Sequence, residues 1–284
     1  MKLLVLGAGG MLGSALVRYF SSDEAVDVYG TVRSYGASGH FDALPSVTLL
    51  QGVDVENHDV LLEVFERVRP DVVLNAIGLV KQLKAADDPL AALPINSLLP
   101  HRLARLSSLI GARLVHISTD CVFSGEKGAY LESDVPDCTD LYGRSKLLGE
   151  VDYPNAVTLR TSMIGHEVSG KRSLVEWFLS QNAQAKGYRR AIFSGLPTVE
   201  IARVIRDYVL PHPELHGVYH LSADPISKYD LLKMVARVYG KSIEIEPDDS
   251  LVIDRSLDSS RFRAATGFVP KSWDEMIAAM HEFG

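Results

Sequence analysis

The chain has 284 residues, 46% of them hydrophobic and 23% charged, which suits a soluble globular fold of one large domain or one and a half. Its net charge of -7 argues against nucleic acid as a partner, since that needs a basic face, but leaves room for small anions held by local Arg and Lys. Its two cysteines, Cys121 and Cys138, show no metal-ligand spacing and point to a reducing cytoplasm, and no apolar run approaches the roughly 18 residues needed to span a membrane.

The opening Met1-Lys2-Leu3-Leu4-Val5-Leu6 mimics the start of a signal peptide. It runs at once into glycines and an amphipathic pattern, so it reads as a buried first strand. Further apolar runs predict strands over 26–31, 47–50, 72–76, 113–118, 156–160, 191–193 and 217–221. Helical patterns fall between them over 11–21, 56–68, 90–109, 140–150, 173–184 and 198–210. Continuous apolar strands alternating with helices predict βαβ units and an α/β doubly wound parallel sheet. After about residue 222 the rhythm changes. Ser227 caps a predicted helix through Tyr239, 243–246 is a short strand, and Ser272-Trp273-Asp274-Glu275 is a capping-box pattern opening the last helix. The expected organisation is a dinucleotide-binding domain over 1–161 with a return segment at 190–221, and a smaller interleaved α/β substrate lobe from 162–189 and 222–284.

Gly7-Ala8-Gly9-Gly10-Met11-Leu12-Gly13 follows the first strand and opens a helix. Glycines at 7, 10 and 13 fit G-x-x-G-x-x-G, while Leu12 breaks the G-x-G-x-x-G spacing. Such a turn lets the backbone approach a pyrophosphate and sets the helix N-terminus against it. At the end of the second strand, Thr31-Val32-Arg33-Ser34 carries no acid to accept from a ribose. Arg33 instead suits a 2′-phosphate, which favours NADPH, with NADH the alternative. Asp54 and Val55 after the third strand are placed at the adenine, and Asn75, Ala76 and Ile77 after the fourth form a small-residue turn beneath the cofactor.

Ser118-Thr119-Asp120 ends the fifth strand, and Tyr142 and Lys146 stand about one helical turn apart, on one face. A Lys⁺ beside a phenol is expected to lower the Tyr pKa, making Tyr142 a proton donor and acceptor for a carbonyl–alcohol pair. His116 reads as a core histidine and Arg160 as a structural ion-pair partner. Lys186, Arg189 and Arg190 read either as a diphosphate clamp or as a solvated face.

Together these pieces resemble the extended short-chain dehydrogenase/reductases, most closely the dTDP-4-dehydrorhamnose reductases and their sugar-nucleotide reductase relatives. The match runs through the glycine loop, Val115–Phe123 with its Ser-Thr-Asp, and Tyr142–Glu150. It continues through Leu159-Arg160-Thr161-Ser162, Gly195-Leu196-Pro197-Thr198, Gly217–Ser222 and Ser256-Leu257-Asp258. The resemblance implies a Rossmann-type domain with a substrate lobe at the C-terminal edge of its sheet. It implies an NADPH-dependent oxidoreductase that reduces a 4-keto group on a nucleotide-activated 6-deoxyhexose. Thr119, Tyr142 and Lys146 then form the catalytic set, with Tyr142 as general acid, Tyr142 and Lys146 also holding the cofactor, and Asn96 as the Asn of the central helix.

Three departures bear on the sugar. Cys121 stands where the family has Tyr, and Met163 where it has an aromatic residue. Ile77-Gly78-Leu79-Val80, followed by Lys81-Gln82, replaces an Ala-Ala-Tyr-Thr segment. Lys81, Thr119, Asp120, Cys121, Met163, Arg172 and Trp177 are the expected substrate contacts, and Arg261 a further pocket candidate. The expected partners are a nucleotide-diphosphate sugar and a second copy of the chain in a homodimer, with no nucleic acid, membrane or metal. Two other readings stand beside the reductase: a sugar-nucleotide epimerase, and a non-catalytic NADP-binding regulatory subunit like that of methionine adenosyltransferase. Cys121 argues against a dehydratase, which needs an acid at that position.

Overall fold

The computed structural model describes all residues except 35–40, 42–43, 45 and 82–83, and the side chains of 84 and 85. In chain order the first half runs β1 (Lys2–Leu6), α1 (Met11–Phe20), β2 (Asp27–Val32), β3 (Val47–Gln51), α2 (His58–Val68) and β4 (Val72–Asn75). A long helix follows, made of α3 (Pro89–Ala92), a π-turn segment (Leu93–Leu98) and α4 (Leu99–Leu109), and leads to β5 (Arg113–Thr119), α5 (Leu141–Leu148) and β6 (Ala156–Thr161). The second half runs β7 (Met163–Ile164), α6 (Leu174–Ser180), β8 (Gln184–Tyr188), β9 (Ala191–Phe193), β10 (Leu196–Pro197), α7 (Thr198–Val204) and β11 (Gly217–His220). It ends with β12 (Ile226–Ser227), α8 (Lys228–Val238), β13 (Glu244–Asp248), β14 (Ile253–Asp254), α9 (Ser260–Thr266) and α10 (Trp273–Phe283).

Seven strands form one parallel sheet in the order β11-β6-β5-β4-β1-β2-β3. Alternate residues of each strand feed two separate cores. Leu3, Val5, Val72, Leu74, Val115, Ile117, Val157 and Leu159 pack on one face with α1, α7 and α8. Leu4, Leu6, Val73, Leu114 and Ala156 pack on the other with α2 and α4. Burial on both faces is why these strands read as unbroken apolar runs. The strand order reverses between β1 and β4, which opens a crevice beyond the carboxyl ends of the strands. Among the described residues no helix is long and apolar enough to cross a membrane.

Two elements differ from the sequence reading. The helix expected over 173–184 stops at Ser180, and after a three-residue turn the chain forms β8, paired in parallel with β13. The segment 191–193 is a strand as expected, but it pairs with β12 and β14 in a separate small sheet. Ser227 and Ser272 cap α8 and α10 as their sequences predict, the latter with both bonds of a capping box.

Candidate active site

The glycine loop turns at Gly7, whose φ of +86° is open to glycine without strain. Its amide donates to the Thr31 hydroxyl (3.2 Å), and the Ala8 amide donates to the Thr31 carbonyl (2.9 Å), so Thr31 fastens the loop to β2. A Cβ on Gly13 would sit 2.0 Å from the Gly7 carbonyl oxygen, so the first turn of α1 packs directly on the loop backbone. Gly10 caps α1 without a side-chain bond, which leaves the first-turn amides facing the crevice with no competing oxygen. An uncapped N-terminus above a glycine turn fits a dinucleotide pyrophosphate.

A cleft of about 500 Å³ runs from this loop. Of the expected cofactor residues, Gly7, Gly10, Thr31, Arg33, Ser34, Asp54, Val55 and Ile77 line it. Met11, Leu12, Gly13, Asn75 and Ala76 do not; Leu12 is buried in the core and Gly13 supports the turn from behind. Asn75 has structural work: its Oδ1 accepts from the Ile77 amide (3.2 Å), and its Nδ2 bonds Nδ1 of the fully buried His116 (3.0 Å). Burial holds the His116 pKa well below its usual value, with Lys146 adding to the effect, so the ring is neutral. Gly9, Val53, Glu56, Gly78, Leu79 and Ile95 also line the cleft, as does Ser169 from the segment after β7. The first six flank residues already singled out in the sequence, whereas nothing in the local sequence marks Ser169. Gly13→Ala is expected to displace the Gly7–Gly10 turn and weaken NADPH binding by about tenfold or more, as overpacking against backbone costs about 1–3 kcal/mol. A fluorescence titration with NADPH measures it.

Tyr142 and Lys146 stand one turn apart on α5, which packs against β5, the strand that ends at Thr119. Asp140 caps α5 by accepting from the Gly143 amide (2.7 Å), and Lys81 pairs with the same carboxylate (2.7 Å), so the expected substrate residue Lys81 braces the helix that carries Tyr142. Burial pushes the Asp140 pKa up, but the Gly143 amide and Lys81 outweigh it and hold the carboxyl below its ordinary range. Asn96, in the π-turn segment, accepts from the Leu79 amide (2.9 Å) and donates to the Ser145 hydroxyl (3.1 Å), locking the cleft wall to α5.

The electrostatics of the Tyr–Lys pair differ from the sequence expectation. Tyr142 is half-buried, and its phenol pKa is raised by burial and further by Cys121, while a hydrogen bond with Thr119 opposes the rise. The Lys146 ammonium donates to the Ile117 carbonyl (2.7 Å). Burial lowers its pKa to about 8, against the pull of Glu150. Desolvation therefore outweighs the pull of Glu150 at Lys146 and the Thr119 hydrogen bond at Tyr142, and Tyr142 is protonated at neutral pH. Lys146 Nζ lies 3.8 Å from where a Cβ on the cleft residue Gly78 would stand, which puts the ammonium at the cleft wall. The Thr119 hydroxyl accepts from the Cys121 amide (3.1 Å) and donates to Asp120 (3.2 Å). Burial raises the Asp120 pKa, and also pushes the Cys121 thiol up to about 12.

The remaining expected residues scatter. Met163 pairs with Leu196 in the two-stranded β7–β10 sheet. Arg172 is exposed in the segment that carries Ser169, and Trp177 is 36% exposed on α6; neither lines the cleft. Arg261 donates to the Val218 carbonyl (3.0 Å) and stacks on Tyr219. Lys186 and Arg189 pair with Asp248 and Asp249, which favours the solvated-face reading. Gln82 lies outside the described residues. Among the described residues no group of three or more His, Cys, Asp or Glu is placed to hold a metal ion.

The RmlD substrate binding domain model matches residues 1–282. The dTDP-4-dehydrorhamnose reductase of Aggregatibacter actinomycetemcomitans is 24% identical, over 97% of this chain and 97% of its own length. Methionine adenosyltransferase 2 subunit beta of Danio rerio is 28% identical, over 84% of this chain and 74% of its own length. The solved structure of the Bacillus anthracis dTDP-4-dehydrorhamnose reductase in complex with NADP superposes with a TM-score of 0.80 at 22% identity, covering 99% of this chain and 98% of that one, a likeness of fold.

Proposed function

This chain belongs to the RmlD substrate binding domain family, and on that premise we propose that it reduces the 4-keto group of a nucleotide-activated 6-deoxyhexose with NADPH, the chemistry named for its reductase relatives. The observation that carries the reading is the Lys146 ammonium at the wall of the glycine-loop cleft, 3.8 Å from where a Cβ on Gly78 would stand, one helical turn along α5 from Tyr142, whose phenol burial keeps protonated beside Thr119.

The glycine loop and the α1 amides hold the cofactor pyrophosphate, and Arg33 holds the 2′-phosphate; among the described residues no ion pair engages Arg33. When bound, NADPH supplies the hydride that the carbonyl carbon accepts. Thr119 turns its hydroxyl proton from Asp120 to the carbonyl oxygen and fixes the substrate in a near-attack pose. Tyr142 gives its proton to that oxygen as negative charge builds there. A raised phenol pKa serves this direction, because the group arrives with its proton on. Lys146 donates to the cofactor ribose. The lobe formed by 162–189 and 222–284 covers the sugar nucleotide.

Purified protein mixed with NADPH and dTDP-4-dehydrorhamnose is expected to consume NADPH in step with alcohol formed. No NADPH oxidation with any nucleotide 4-keto-6-deoxysugar sinks the reading. The lowered Lys146 pKa gives a pH dependence. Below about 8 the ammonium is charged and holds the ribose; above it the proton leaves. NADPH affinity is expected to fall by up to about tenfold per unit above that pH, and the Lys146→Met variant to lose the dependence.

A further inference from the structure

Arg255 follows β14, far along the chain from Tyr142, yet its side chain lies against the turn after β5. Its Nε donates to the Phe123 carbonyl (2.8 Å), and its Nη1 lies 3.7 Å from the Cys121 sulfur. The main chain on both sides is stitched to the loop after that turn. The Asp254 amide donates to the Gly125 carbonyl (2.7 Å), the Ala129 amide to the Ser256 hydroxyl (2.8 Å) and the Tyr130 amide to the Ser256 carbonyl (2.9 Å). Among the described residues no carboxylate lies within ion-pair distance of the guanidinium, although Asp120, Asp137 and Asp140 all feel its charge. A thiol sulfur is a weak acceptor, so the Nη edge of a half-buried, anchored cation lies beside Cys121, two residues from Thr119, with its hydrogen-bonding capacity largely unmet.

We propose that Arg255 is a specificity-determining residue that donates to the hydroxyl on the sugar carbon next to the reacting carbonyl. The inference rests on the reductase reading above. A 4-keto-6-deoxyhexose has two carbons flanking the carbonyl. C5 carries a methyl group and the ring oxygen, a poor acceptor, and C3 carries a hydroxyl, so the C3 side offers Arg255 the better acceptor. With Thr119 and Tyr142 on the carbonyl oxygen, a donor reaching in past Cys121, two residues from Thr119, meets the neighbouring oxygen. A guanidinium held at Nε supplies a rigid fork there at little entropic cost.

The test compares the wild type with Arg255→Met and Arg255→Lys on dTDP-4-dehydrorhamnose and on its 3-deoxy analogue, with NADPH saturating. For the hydroxyl-bearing substrate, Arg255→Met is expected to raise KM about 10- to 100-fold, the size of a lost charge-assisted hydrogen bond, and Arg255→Lys to restore part of it. On the 3-deoxy analogue the same variants should change KM by less than about threefold, since the partner oxygen is already gone. Equal losses on both substrates, or no loss on either, overturn the assignment and indicate that Arg255 only anchors the Phe123 loop. A wild-type protein that binds NADPH but turns over neither substrate overturns the reductase reading itself, and the sugar assignment with it.

Discussion

Tyr142→Phe is expected to lower kcat by about 100- to 10,000-fold, the usual worth of a general acid, while NADPH still binds. The phenylalanine keeps the ring in its half-buried seat and removes only the hydroxyl that bonds with Thr119. The loss should therefore fall on kcat, with little change in melting temperature. Stopped-flow measurement of a single turnover, with NADPH prebound, separates the chemical step from product release. A variant that keeps its rate would place the proton donor elsewhere. Biological activity that survives this substitution would favour the non-catalytic, NADP-binding regulatory reading. The pH profile adds a second check. In the wild type the acid is protonated throughout the neutral range, so the loss of activity expected above about pH 8 belongs to Lys146, and the residual activity of Tyr142→Phe should keep that limb.

Arg160→Leu is expected to destabilise the fold by about 3–5 kcal/mol, the cost of leaving a buried charge without its partner. Arg160 and Glu150 are each 6% exposed and joined by two bonds of 2.6 and 2.7 Å, and Glu150 also accepts from Ser118 (2.7 Å). Arg160 Nη1 faces Nε2 of His220, whose Nδ1 faces the Tyr130 carbonyl (3.0 Å). A guanidinium only donates and a carbonyl only accepts, so His220 is neutral with its proton on Nδ1; burial lowers its pKa in agreement. Removing the arginine strands the Glu150 carboxylate between β5, β6 and α5. Thermal melting should shift down by about 10 °C. A Glu150→Leu, Arg160→Leu double variant should recover a large part of that loss, because the buried charge is gone. If the single variant melts with the wild type, the pair is better solvated than its burial implies.

How much of this was legible in the sequence depends on where each residue's partners lie. The central strands were plain because both of their faces are buried. β8 was missed because Gln184-Ala185-Lys186-Gly187-Tyr188 has no apolar run; its strand state comes from pairing with β13, which no local pattern encodes. Asn96 lies between Pro94 and Pro100 in the sequence, and the structure places a π-turn segment at Leu93–Leu98 with Asn96 turned inward. The glycine loop and the Tyr142–Lys146 spacing were readable because their geometry is local. The sign of the Tyr142 shift was not, because desolvation belongs to the whole packed site and not to a neighbour in sequence. Ser169 was missed for the same reason, arriving from a segment that carries no motif of its own, and Arg255, although it precedes Ser256-Leu257-Asp258, lies more than a hundred positions from the turn it contacts.

The bridge between Tyr130 and Leu257 has a consequence for how the protein matures. The loop after Thr119 is closed by residues synthesised more than a hundred positions later, with the Asp258 amide donating to the Tyr130 carbonyl (2.8 Å). The sheet through β6 and the glycine loop have their pairing partners much earlier on the nascent chain. On the ribosome, dinucleotide affinity should therefore arise before the sugar pocket is shaped, and the pocket should be among the last parts to order, because its contacts carry the largest loop-closure cost.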